Sequence, residues 1–169
     1  MPDNRRWMRS LTASLRATEA KSRFRQRWAT FGKTVIVIDA SVLAVALGDY
    51  GGDGHRARER LAHETLAAPE LIDLEVASVW HRLVAAKLMA ARRAGDAVAD
   101  LADLPLRRSS HQPLLGRIWQ LRHAVTAYDA AYIALAEALE VPVVTADARL
   151  AQAPGIKCDI EVIGGAAGG

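Results

Sequence analysis

The chain has 169 residues, 51% of them hydrophobic, enough for one compact domain with a sizeable core and too few for two of ordinary size. One cysteine, Cys158, excludes an internal disulfide and a thiolate zinc cluster; no apolar run approaches the ~20 residues of a membrane span and no secretory leader is visible, so a reducing, cytoplasmic setting is expected. The net charge of +3 is uneven: residues 1–34 hold nine Lys/Arg and two acids, net +7, leaving 13 basic and 17 acidic of the chain's 22 and 19 on a body of net −4, a pattern suited to a polyanion partner.

Residues 1–34 form a basic extension open to three readings. Met8, Leu11 and Leu15 have the spacing of a short amphipathic helix; the Arg-rich, acid-poor composition is that of a transit peptide; and translation could begin near Val35. The body begins with Val35-Ile36-Val37-Ile38, a β-branched apolar run expected as a strand buried on both faces, ending in Asp39. A helix is expected over Ala40–Leu47, a Gly/Asp loop over Gly48–Gly54, and a second helix over His55–His63. Leu66-Ala67-Ala68 reads as a short strand, after which Pro69 opens a longer helix to about Met89, proline being tolerated at the first helical position.

A helix over Ala94–Leu104 stops at Pro105, and Leu106-Arg107-Arg108 is a weak strand candidate. Pro113–Arg122 reads as helical, and Thr126 caps a strongly apolar helix, Ala127–Leu139. Val141–Thr145 is the second clear strand, Asp147 starts a short helix through Leu150, and Ile160–Ile163 is a last strand, at an edge. The Gly/Ala tail Gly164–Gly169 is expected to be disordered. Short strands alternating with helices imply an α/β fold with a parallel sheet and helices on both faces.

Four acids fall where such a sheet binds ligands, outside the carboxyl ends of its strands. Asp39 ends the first strand, Asp147 follows the Val141–Thr145 strand, and Glu75 and Asp129 lie early in helices. Converging carboxylates repel one another and need a cation; an oxygen-rich, sulfur-free set suits Mg²⁺ or Mn²⁺. Such an ion activates water, polarises a phosphoryl oxygen and offsets charge on the leaving oxygen. Each acid also has a structural reading. Asp39 could cap the next helix, although a carboxylate directly after four apolar residues is costly unless used. Asp129 sits in a capping-box position, Asp147 could cap a short helix, and Glu75 could be a solvated helical acid. Asp73 reads as helix-start decoration.

Ser41 and Thr145, each two residues from an acid, could orient carboxylates or form local turns. Tyr128 and Tyr132 read as packing, and His55, His63, His81, His111 and His123 show no ligand spacing.

Val35-Ile36-Val37-Ile38-Asp39-Ala40-Ser41 resembles the opening strand and first acid of PIN-domain proteins. The stretches Pro69–Trp80, Thr126–Glu137 and Val143–Leu150 are similar to the family's segments for the second, third and fourth acids. Order, spacing and flanks resemble the VapC-type toxins of bacterial toxin–antitoxin systems over about Val35–Ile163; residues 1–34 have no counterpart in the usual short members. The resemblance implies a three-layer α/β/α sandwich around a mostly parallel sheet and Mg²⁺- or Mn²⁺-dependent endoribonuclease activity. It also implies homodimers and an antitoxin that blocks the acidic site. Carried over, Asp39, Glu75, Asp129 and Asp147 are the metal ligands, with Ser41 and Thr145 supporting.

Hydrolysis of RNA phosphodiester bonds is therefore expected, with Arg107, Arg108, Arg117 and Arg122 as candidate grips on the backbone. A catalytically silent binding module and a DNA-directed nuclease are the alternatives, since carboxylates do not read a 2′-hydroxyl. An aspartyl phosphatase fits poorly, because Asp39-Ala40-Ser41 lacks a second acid two residues on.

Overall fold

Five short strands form one sheet in which every hydrogen-bonded pair runs parallel. They are β1 (Val35–Ile38), β2 (Thr65–Pro69), β3 (Arg107–Ser109), β4 (Val143–Thr145) and β5 (Ile160–Val162), in the order β3-β2-β1-β4-β5. The computed structural model describes residues 34–163; the basic extension up to residue 33 and the tail 164–169 lie outside the described residues. Six helices connect the strands: α1 (Ala40–Gly48), α2 (Gly52–Leu61), α3 (Ile72–Ala85), α4 (Ala91–Asp103), α5 (Leu115–Gln120) and α6 (Ala127–Leu139). Among the described residues no helix is long and apolar enough to cross a membrane.

The central position of β1 follows from its composition. Ile36, Val37 and Ile38 are each 1% exposed or less, because helices cover both faces of the sheet. Helix α6 packs on β1, β2 and β4 and carries α5 with it, whereas α1 lies against β4, α2, α3 and α4. This is the three-layer α/β/α arrangement expected from sequence, with a sheet that is wholly rather than mostly parallel among the described strands. Strand β5 is at an edge, as expected.

Several boundaries differ from expectation; helix α2, for one, begins at Gly52, inside the expected Gly48–Gly54 loop. Pro69 ends β2 opposite Ser109 and does not open a helix; α3 begins three residues later, at Ile72. A missing N–H is tolerated at the end of a strand, and the pairing with β3 continues through Glu70, which donates to the Ser109 carbonyl at 3.0 Å. Pro113 lies in a 3-10 turn, Gln112–Leu114, that leads into α5. Leu150 likewise opens a 3-10 turn, Leu150–Gln152, just after Asp147.

Packing fixes where α1 and α3 present their first turns. Helix α3 buries Ile72, Val76 and Trp80, residues spaced four apart on one face, while Leu74 is 75% exposed. Trp80, the largest fully buried side chain, donates from Nε1 to the Ala44 carbonyl of α1 at 3.1 Å. Truncating such a residue to alanine costs about 3–5 kcal/mol. At the far end of α1, Arg58 donates to the Ala46 and Asp49 carbonyls at 2.7 Å, and Arg93 donates to the Leu47 carbonyl. Cationic groups at the carbonyl end of a helix complement its dipole. Helix α1 is thereby held through its C-terminal half, with Asp39 at its N-terminus.

Cys158 packs beside a small core of Leu121, Ala130, Ile133 and Leu150. Burial, with the charge of Glu137 adding to it, pushes its thiol up to about 11. It is a weakly reactive structural cysteine.

Candidate active site

Asp39 occupies the N-cap position of α1, but its side chain caps nothing. Both supporting hydroxyls instead converge on its Oδ2: Ser41 Oγ donates at 2.8 Å and Thr145 Oγ1 at 2.5 Å. The backbone joins them, since Asp39 N–H donates to the Val144 carbonyl at 3.0 Å and so extends the β1–β4 pairing past the strand end. Thr145 is fully buried. Its oxygen also accepts from Asp147 N–H at 3.0 Å, and Ser41 Oγ accepts from Ala146 N–H at 3.1 Å. One hydroxyl therefore links two of the four acids.

Glu75 lies in the first turn of α3 and is part-buried. Tyr132 Oη, from α6, donates to its Oε2 at 2.5 Å. Burial raises the Glu75 carboxyl above its ordinary range; the Tyr132 hydrogen bond opposes this, and the charges of Asp39 and Asp129 add to the rise. The same three carboxylates, with burial foremost, push the Tyr132 hydroxyl upward. Asp39, Glu75 and Asp129 thus share one electrostatic field, although β1, α3 and α6 are far apart in sequence.

Asp129 stands in the first turn of α6, whose N-cap is Thr126. Thr126 Oγ1 accepts from Asp129 N–H at 3.2 Å and donates to Asp129 Oδ2 at 2.7 Å. Asp147 combines the structural and the candidate role: its Oδ1 accepts from Arg149 N–H at 2.9 Å, and the Arg149 guanidinium clasps both oxygens, Nη2 at 2.6 Å from Oδ2. Hydrogen bonding from Arg149 holds the Asp147 carboxyl below its ordinary range. The Arg149 guanidinium also feels Asp129.

Among the described residues, no three Asp, Glu, His or Cys side chains stand as a ready metal-holding group. The acids approach the same sheet edge, but Thr126 and Arg149 hold Asp129 and Asp147 in local bonds. The donor set is nevertheless carboxylate oxygen throughout, and its mutual repulsion, felt at Glu75, is what a hard divalent cation relieves.

Two of the four arginines named as grips for RNA are engaged internally. Arg108 pairs with Asp73 through Nε at 2.7 Å and Nη2 at 2.8 Å, which gives Asp73 a structural partner. Arg117 pairs with Glu137 through Nε at 2.6 Å and Nη2 at 2.9 Å. Arg122 lies 5.0 Å from the ring of Trp119, which is 68% exposed. Tyr132, expected as packing, is 2% exposed and also bonds Glu75; its position three residues after Asp129, on the same helix face, was the available signal.

Comparison with known proteins gives the family and the fold. The PIN domain family profile matches residues 36–156. Ribonuclease VapC1 of Mycobacterium tuberculosis is 41% identical over 128 residues, 75% of this chain and 96% of that protein. Ribonuclease VapC9 of the same species is 39% identical over 129 residues, 76% of this chain and 98% of that protein. A chain of the crystal structure of VapBC2 from Rickettsia felis, bound to a DNA fragment from their promoter, superposes with a TM-score of 0.52 at 13% identity, covering 76% of this chain and 98% of that one. The chain belongs to the PIN-domain family and, within it, to the VapC ribonucleases.

Proposed function

We propose that this protein is a divalent-metal-dependent endoribonuclease that acts in the cytoplasm as the toxin of a toxin–antitoxin pair. The observation that carries the reading is the cluster at the carboxyl edge of a parallel sheet, where Thr145 bonds both Asp39 and Asp147 and Tyr132, three residues beyond Asp129, bonds Glu75. Asp39, Glu75, Asp129 and Asp147 would hold Mg²⁺ or Mn²⁺. When bound, such an ion supplies Lewis-acid activation of water and offsets charge on the departing oxygen. Ser41 and Thr145 keep the Asp39 carboxylate in one orientation, and Thr126 does the same for Asp129. The exposed Trp119 with Arg122 offers a stacking platform and a cation for an unpaired base and its phosphate. Arg107 is a further candidate contact. The names of the relatives support RNA as substrate, and the VapBC2 assembly supports a protein antitoxin as partner. A homodimer completes the proposed assembly.

The test is incubation of purified, antitoxin-free protein with total RNA and Mg²⁺ or Mn²⁺, against EDTA and the Asp39→Asn variant. Discrete fragments lost in both controls are expected. In cells, induction without antitoxin is expected to arrest growth, and Asp129→Asn to relieve the arrest. The clasp of Arg149 on Asp147 favours one second reading, a catalytically silent binding module. RNA bound without cleavage, and unaffected by Asp39→Asn, would establish that alternative. Cleavage of single-stranded DNA at a comparable rate would widen the substrate instead.

A further inference from the structure

We propose that Tyr132 is a positioning residue that holds one oxygen of Glu75 so that the other is left for a cation. The inference rests on the metal-nuclease reading above. The Tyr132 hydroxyl donates to Glu75 Oε2 at 2.5 Å, and Tyr132 is 2% exposed, so the bond lies largely out of water. No described residue donates to Oε1. A glutamate loses up to about 2 kcal/mol of side-chain freedom when fixed, so a ligand of this length needs a partner to stay in one rotamer. A short hydrogen bond to an ionised acceptor is the stronger kind.

The chemical type of the partner matters. Asp147 is clasped by a guanidinium, which neutralises it; Glu75 is held by a neutral donor, which orients the carboxylate without adding a cation that competes for the site. Tyr132 also sits on α6 three residues beyond Asp129, and Glu75 sits on α3, so the bond ties two acid-bearing helices together. A purely packing tyrosine would only need some acceptor for its hydroxyl. Here the acceptor is Glu75, one of the four acids at the sheet edge, reached from the neighbouring acid-bearing helix.

The test compares Mn²⁺ binding, followed by electron paramagnetic resonance or calorimetry, in the parent protein, Tyr132→Phe, and a Tyr132 replacement by 4-aminophenylalanine. The last keeps a neutral donor at the ring's para position. Partners that orient metal ligands are worth about 10- to 100-fold in affinity. Tyr132→Phe is expected to weaken Mn²⁺ binding by about tenfold. The amino variant should recover most of that loss. RNA cleavage by Tyr132→Phe should be regained at raised Mn²⁺, and Tyr128→Phe, an exposed neighbour on the same helix, should match the parent. Parent-like Mn²⁺ affinity in folded Tyr132→Phe overturns the proposal and leaves the nuclease reading intact. So does an amino variant that binds no better than a phenylalanine. If the parent binds no Mn²⁺, the metal reading falls and this proposal with it. If Tyr132→Phe does not fold, the amino variant against the parent decides: a donor-bearing ring that folds but loses Mn²⁺ by tenfold or more overturns the proposal, and retained affinity supports it.

Discussion

Thr145 and Asp39 stand 106 residues apart and meet through a hydrogen bond of 2.5 Å, donated by the threonine hydroxyl to the Asp39 carboxylate. The same oxygen accepts from Asp147 N–H, so the hydroxyl is both donor and acceptor in a fully buried place. Thr145→Val keeps the shape and removes both bonds, leaving the part-buried Asp147 N–H and an Asp39 carboxylate oxygen short of a partner. A loss of about 1–3 kcal/mol is expected, a fall in Tm of several degrees by calorimetry. RNA cleavage should fall by tenfold or more, and Thr145→Ser should retain most of both properties.

Glu75 sets a pH dependence of opposite sign to that of a salt-bridged acid. Its folded carboxyl is raised, chiefly by burial, so in the window above the ordinary value of 4.5 the folded state holds its proton more tightly than the unfolded state. Stability of the metal-free protein therefore declines as pH rises through that window, and the penalty is complete above the raised value. Glu75→Gln should stabilise metal-free protein at neutral pH and give no gain below about pH 4. Denaturant titrations in EDTA at pH 4 and pH 7.5 test this; equal effects at both would refute it.

Arg149 occupies both oxygens of Asp147, one of the four carboxylates proposed to hold a cation. It is solvent-exposed apart from its grip on that carboxylate and depresses the Asp147 carboxyl by hydrogen bonding. Arg149→Ala should return Asp147 toward 3.8, measured by carboxyl carbon NMR. It should also lower the Mn²⁺ concentration for half-maximal RNA cleavage. A higher requirement would mean that Arg149 serves the substrate rather than blocking the metal.

Two glycines should respond in opposite directions to alanine. A Cβ on Gly54 would lie 1.9 Å from the Asp49 carbonyl oxygen, so the first turn of α2 would have to move off the loop that follows α1. Gly54→Ala is expected to cost at least about 2–3 kcal/mol. Gly95, within α4, has no atom within 4 Å of the corresponding point. Gly95→Ala should stabilise the protein by about 0.5–1 kcal/mol through helix propensity. Urea denaturation of the two variants measures both signs.

Much of this architecture was legible where a residue's role is decided by its neighbours in sequence. The β-branched runs at Val35–Ile38 and Val143–Val144, and the Thr126 cap, announce β1, β4 and α6. Strand ends then place Asp39 and Thr145 at one edge. Features decided by distant residues were not legible. Pro69 could have opened a helix, and only the pairing with Ser109 makes it the end of a strand. The ion pairs of Arg108 and Arg117 were hidden because Asp73 and Glu137, 35 and 20 residues away, are brought to them only by the fold. The hydroxyl of Tyr132 is assigned by Glu75, 57 residues earlier. That the acids share one field follows from the strand order, which no local pattern encodes.

That strand order has a consequence for the protein's own synthesis. Strand β1 emerges from the ribosome early, yet one of its two neighbours in the sheet is β4, with Val37 opposite Val143. Until β4 has been made, β1 has a bare flank, Asp39 has no threonine, and Asp147 does not exist. Whatever chemistry this edge performs is withheld from the nascent chain, and a truncated product offers an unpaired strand to cellular quality control in place of a partial enzyme.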